Sequence, residues 1–118
     1  EDMPAVTGDP ARLQLAMTYL IMNAHEAVRH AEERWLRVAA RAEEDGVAFV
    51  VVNAGPAVPE ALRETIFEPF FTTKGDAHLG LGLTAARSYA RMHGGDVTYD
   101  PEAGFLLRVA VTPDYPFQ

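Results

Sequence analysis

The sequence predicts an α+β fold, on three observations. A long amphipathic helical pattern opens the chain, a pair of strand-like runs follows it, and a second pair closes it. Strands in adjacent pairs with helices between them favour hairpins, so the helices are expected on one face of a mixed or antiparallel sheet. At 118 residues the chain is large enough for one core and too short for two. Residues 1–118 are therefore read as a single domain, and a start at EDMPAV suggests a fragment of a longer chain.

Asp9 is placed to cap the first helix, with Pro10 at its first helical position. Leu13, Ala16, Met17, Leu20, Ala24, Ala27 and Val28 then recur at helical spacing, predicting a helix to about His30. WLRVAARA (35–42) alternates loosely, and Glu44-Asp45-Gly46 supplies a hairpin turn into VAFVVVN (47–53). The unbroken apolar run in that second strand predicts a central place or cover on both faces. Pro59 opens a short helix, PEALRETIF, with Glu60 favourably placed in its first turn. EPFFTTKGDAHLGLGL (68–83) shows no period until its end. From Gly82, the positions of Leu83, Ala86, Tyr89 and Ala90 predict another helix to His93, stopped by Gly94-Gly95. DVTYD, a turn at Pro101–Gly104 and FLLRVAVT form a terminal hairpin.

A formal net charge of −7 argues against a nucleic-acid partner, because phosphate binding needs clustered Lys and Arg. Arg29, Arg34, Arg37, Arg41, Arg63, Arg87 and Arg91 are instead spread along the predicted elements. With no cysteine there is no disulfide framework and no thiolate metal site. No apolar run approaches the ~20 residues that span a bilayer, so this domain is expected to make no direct membrane contact. A cytoplasmic location follows as an expectation, which leaves room for a membrane anchor elsewhere in the parent chain.

Three stretches do not fit a plain core. Asn23 lies within about 60° of Leu20 and 40° of Ala27 on a helical wheel, so it shares their inward stripe. An unpaired amide there costs roughly 1–3 kcal/mol, and a bond to neighbouring backbone is the simple explanation. Tyr19 and Glu26, four residues before and three after, extend a polar line beside the apolar one, as on a helix that lines a pocket. LGLGL (79–83) precedes a helix, where glycines allow close approach and free amides bind anions; close packing is the plainer reading. FEPFFTTK (67–74) has the phenylalanines of a core, followed by Thr72, Thr73 and Lys74, which meet either a phosphate or solvent.

In order and spacing these pieces resemble the ATP-binding catalytic (HATPase_c) domain of sensor histidine kinases, in the GHKL ATPase superfamily. LQLAMTYLIMNAHEAV resembles the N box, VVVNAGPAVPEALRETIFEPFFTTK the G1 box running into the F box, and HLGLGLTAARSYARMHGGDV the G2 box with its helix. NAHEA and FEPFFTTK are similar to the NtrB-like members, and FEPFFTTK favours the sensor kinases over serine kinases of the anti-sigma type. The resemblance implies a two-layer α/β sandwich, with a mixed, mostly antiparallel sheet covered on one face by three main helices. It implies ATP and Mg²⁺ as ligands, with Asn23 at the metal position. Asn53 would read adenine beside Gly55 and Ala57. Gly80, Leu81 and Gly82 would offer backbone amides to the phosphates and Lys74 a charge, with Tyr19, His25 and Glu26 in supporting positions. The implied activity is positioning of Mg-ATP for phosphoryl transfer to a histidine on a separate dimerisation domain of the parent chain, which then serves a response regulator.

The pattern is broken at several of these positions. Asn53 stands where the family has an adenine-reading aspartate; its carbonyl can accept from the N6 amino group and its amide can donate toward N1, without the charge that roughly doubles such a bond. Ala57 replaces a glycine and would be strained at positive φ. Tyr19 stands where relatives carry Asn, or a glutamate that activates water, and a tyrosine is a poor general base near neutral pH. His78-Leu79 replaces Gly-Thr, and the stretch between Lys74 and His78 leaves little chain to close over a triphosphate. A weakened nucleotide site is expected. The alternative is a degenerate domain that no longer uses ATP and docks a protein in a phosphorelay, through the F-box region or the surface around Tyr115 and Phe117.

Overall fold

The computed structural model describes residues 8–69 and 82–110. Helix α1 (Pro10–Val28) begins where the cap was expected, with the Asp9 carboxylate accepting from the backbone N–H groups of Ala11 and Arg12. It ends two residues before His30, where the Arg29 N–H bonds Glu26 O. The hairpin β1 (Leu36–Glu43) and β2 (Gly46–Asn53) turns through Glu44-Asp45. Helix α2 (Gly82–Met92) leads to a second hairpin, β3 (Asp96–Asp100) and β4 (Gly104–Ala110). The expected α+β class and the one-sided helical layer are present. The strand order is β1-β2-β4-β3, and every pairing among the described strands is antiparallel.

Strand β2 lies inside the sheet, which explains its unbroken apolar run. Its helix-facing residues Val47 and Val51 join Val97, Phe105, Leu107 and Val109 beneath Ala16, Leu20, Ala24, Ala86 and Ala90. Strand β1 is mostly exposed, because α1 lies chiefly over β2. One expectation changes: Ala27 is exposed, so the buried stripe of α1 is Ala16, Leu20, Ala24 and Val28, and Asn23 borders it rather than belonging to it.

The third helical element differs too. PEALRETIF forms two single 3-10 turns, Glu60–Leu62 and Thr65–Phe67, closed by bonds between residues three apart. Nine residues with no lengthwise apolar stripe do not offset the cost of nucleating an α-helix. The segment is instead tethered at its end by Phe67, buried edge-on against Phe105 at 6.2 Å.

Helix α2 stops as its glycines predict. The Gly95 N–H bonds Ala90 O and the Gly94 N–H bonds Arg91 O, with Gly94 at φ 79°, the arrangement that a left-handed terminal residue permits. His93, buried at this corner, accepts the Asp9 N–H at Nε2 (2.8 Å), and its Nδ1 lies 2.8 Å from Tyr89 O. That pairing assigns the proton to Nδ1 and ties the start of α1 to the end of α2.

Asp96 completes the corner, accepting from Arg87 (2.9 Å), Arg91 (3.1 Å) and its neighbour's Val97 N–H (2.8 Å). Burial pushes this carboxyl up, but the bonds from Arg87, Arg91 and Val97 outweigh it and hold it below its ordinary range. Because folding lowers this pKa, its contribution is complete above about pH 4 and fades as the pH falls further. Asp96→Asn should therefore flatten the loss of stability below about pH 4, read from urea midpoints at successive pH values. An acid slope identical to the unsubstituted protein's would contradict this.

Candidate nucleotide site

The polar line on α1 survives as a half-buried edge. Tyr19, Asn23 and Glu26 follow one another beside the buried stripe, and Glu26 pairs with Arg29 at 3.2 Å. His25 is exposed; two positions from Asn23, it projects about 200° around the helix and away from this line. Across the helix pair, Gly82 sits on Tyr19. A Cβ at Gly82 would lie 3.6 Å from the Tyr19 ring and its own Cβ, ordinary contact distance. The first residue of α2 is thus set directly against the polar line of α1.

At the end of β2, Asn53 is half-buried and its Nδ2 donates to Ala54 O at 2.7 Å. The neighbouring Ala54 N–H bonds Trp35 O at 2.9 Å, continuing the β1–β2 ladder by one step. Asn53 therefore shapes the turn with one amide proton. Its second amide proton and its Oδ1, which accepts from no described residue, leave it able both to accept and to donate. Gly55 follows at φ 101°, with open space where a Cβ would stand, and Ala57 is exposed. Lys74, Gly80 and Leu81 lie outside the described residues, as do His78-Leu79, Tyr115 and Phe117. The ends of the segment that carries the first three are nonetheless joined, because Thr84 Oγ1 donates to Phe67 O at 2.6 Å.

Four contributors were not evident from sequence. Thr84 and Arg87 hold the F-box end, the latter with its guanidinium 4.5 Å from the Phe67 ring centre. Tyr99 and Arg63 hold the chain after Gly55, through Val58. No spacing rule pairs residues 17 or 41 apart. A separate cleft, lined by Glu43, Asp45, Gly95 and Arg108, lies at the opposite end of β2 and includes none of the expected site residues.

The family description histidine kinase-, DNA gyrase B-, and HSP90-like ATPase matches residues 8–116. The chain belongs to this ATPase family. Within it, the chain is similar to the sensor protein CutS of Streptomyces coelicolor, 38% identical over 114 residues that cover 91% of this chain and 27% of CutS. The catalytic domain of the histidine kinase ThkA superposes with a TM-score of 0.79 at 34% identity, covering 92% of this chain and 73% of that one. Full-length ShkA, solved in complex with AMPPNP, gives 0.72 at 29% identity, over 95% of this chain and 24% of that one. ThkA has also been solved in complex with a response regulator protein, TrrA. This ATPase-family chain is thus a catalytic ATP-binding domain of the sensor histidine kinase kind, and it spans about a quarter of the length of CutS.

The geometry at Gly55 separates torsional from steric cost. Gly55→Ala should lower stability by about 1–2 kcal/mol through its left-handed backbone alone, since no atom lies near the added methyl. A urea midpoint that does not move would contradict the turn.

Proposed function

We propose that this domain positions Mg-ATP, with weakened affinity, for phosphoryl transfer to a histidine on a separate dimerisation domain of its parent chain. The packing of the start of α2 beside Tyr19, so near that a methyl added at Gly82 would touch the ring, supports the reading, because it brings the helix bearing Asn23 alongside the helix that LGLGL introduces. Asn53 reads the adenine edge, and Gly55 leaves room for the ring to approach. Gly80, Leu81, Gly82 and Lys74 are assigned to the phosphates, and Glu26 supports the polar line. Asn23 is the side chain that would hold Mg²⁺, an ion that when bound neutralises phosphate charge. Mg²⁺ bound with nucleotide draws most of its oxygen ligands from phosphates and retained waters, so the Asn23 side-chain oxygen would supply one oxygen ligand. His25, on the exposed side of α1, has the weakest claim to a role.

A response regulator is the proposed downstream partner, by analogy with ThkA and TrrA. No helix among the described residues is long and apolar enough to cross a membrane, and a cytoplasmic placement is part of the proposal. A second reading, a docking module that has abandoned ATP, draws on the exposed apolar side chains Leu15, Met22, Trp35 and Val38.

Calorimetric titration with ATP, with and without Mg²⁺, tests the first reading. Binding weaker than micromolar and strengthened by Mg²⁺ is expected; submicromolar affinity would refute the weakened site, and no binding at millimolar ATP would favour the docking module. Asn53→Asp restores the family's charge but gives up the bond to Ala54 O. It should tighten ATP about fivefold or more while costing about 1 kcal/mol of stability. Lower stability without tighter binding would limit Asn53 to shaping the turn.

A further inference from the structure

We propose that Tyr99 and Arg63 form a clamp that positions the Gly55–Pro59 loop beside Asn53 and thereby sets the nucleotide affinity this site retains. The inference rests on the nucleotide reading above and adds two residues that neither the motifs nor their spacing single out. Both backbone groups of Val58 are held by side chains. Its N–H donates to the Tyr99 hydroxyl at 2.8 Å, and its carbonyl accepts from Arg63 Nε at 3.0 Å. The two side chains also meet, with the Arg63 guanidinium 5.9 Å from the centre of the Tyr99 ring, within cation–π range. Tyr99 is itself fixed, tilted against Phe105 at 4.9 Å and packed on the core.

The topology explains why a clamp is needed. Asn53 ends β2, while Tyr99 lies on β3, and β4 runs between them. The loop must therefore cross two strand spacings, roughly 10 Å, over the start of β4. Gly55 contributes a left-handed turn and open surroundings, which give freedom rather than order. Pro56 and Pro59 stiffen the loop locally, but neither can donate a backbone bond. Val58 is thus the loop residue whose backbone donor and acceptor are both engaged by side chains from outside the loop. In this chain Ala57 stands where the resemblance places a glycine, and the tether from β3 holds the neighbouring Val58 by tertiary contact. Tyr99 and Arg63 act through Val58, so they are positioning residues rather than nucleotide ligands.

Tyr99→Phe removes only the hydroxyl and keeps the ring on Phe105; Arg63→Lys keeps the charge but loses the Nε donor. Three readouts are compared on the 118-residue chain: hydrogen exchange at the Val58 amide, the urea midpoint, and dissociation constants for Mg-ATP and Mg-ADP. Tyr99→Phe should speed Val58 exchange and raise both constants by the same factor, about fivefold, because the loop borders the base-reading residue and not the phosphates. Arg63→Lys should shift them in the same direction and by less. The urea midpoint should fall only by what one lost hydrogen bond accounts for, whereas a purely structural loss would lower it without moving the dissociation constants. Faster Val58 exchange with unchanged constants would overturn the clamp while leaving the nucleotide reading intact, and so would a change for one nucleotide only. Failure of the unsubstituted protein to bind either nucleotide at millimolar concentration would overturn the nucleotide reading and with it the clamp's role in affinity.

Discussion

The close approach of α1 and α2 is the constraint on which the helical layer depends. Their shared seam is built from Ala16, Leu20 and Ala24 on one helix and Ala86 and Ala90 on the other, all at most 1% exposed. Interaxial distance follows from the side chains at the contact, and methyl groups allow helices near the short end of the usual 8–10 Å range. That spacing leaves room for little more than a methyl between Gly82 and the Tyr19 ring, and it brings the polar edge of α1 beside the N-terminus of α2. Bulkier residues in this seam would push the helices apart and separate the halves of the site before touching any ligand-facing group.

The two ends of the sheet are held by different chemistry. At the end remote from Asn53, His93 and Asp96 fasten the helices to each other and to β3 through hydrogen bonds and ion pairs. Arg108 bridges Glu43 across the sheet there, and Glu43, hydrogen-bonded by Arg108 and Arg41, sits below its ordinary pKa despite some burial. At the site end the ties run through aromatic rings: Tyr99 on Phe105, Phe105 on Phe67, and Arg87 over Phe67. Arg87 joins the two ends, since the guanidinium that is bonded to Asp96 also lies over the Phe67 ring.

Most of the architecture was legible because it rests on local rules. The Asp9-Pro10 cap, the Gly94-Gly95 stop and the central apolar strand each follow from a few adjacent residues, and each stands where expected. Ala27 misled because helical spacing marks a face without giving its width, and α1 buries a stripe one residue wide in each turn. PEALRETIF misled because a proline start and an acidic first turn suit a 3-10 turn as well as an α-helix. Asn23 was legible as a polar residue beside a core stripe, and Asn53 and Gly55 through the family resemblance. Tyr99, Thr84 and Arg87 were not, since their roles arise only when distant segments meet, and Arg63, though it bonds Val58 five residues away, follows no spacing rule.

Asn53 shapes the turn that follows β2 through one amide proton, and its Oδ1 accepts from no described residue. The proposed nucleotide site is the space bounded by α1, the loop after β2 and the start of α2. A crystal structure of the domain with Mg²⁺ and a nonhydrolysable ATP analogue tests that most directly. The adenine edge should lie on Asn53, with the metal at Asn23 and the phosphates by the N-terminus of α2. Nucleotide bound elsewhere with this space filled by side chains would contradict the account.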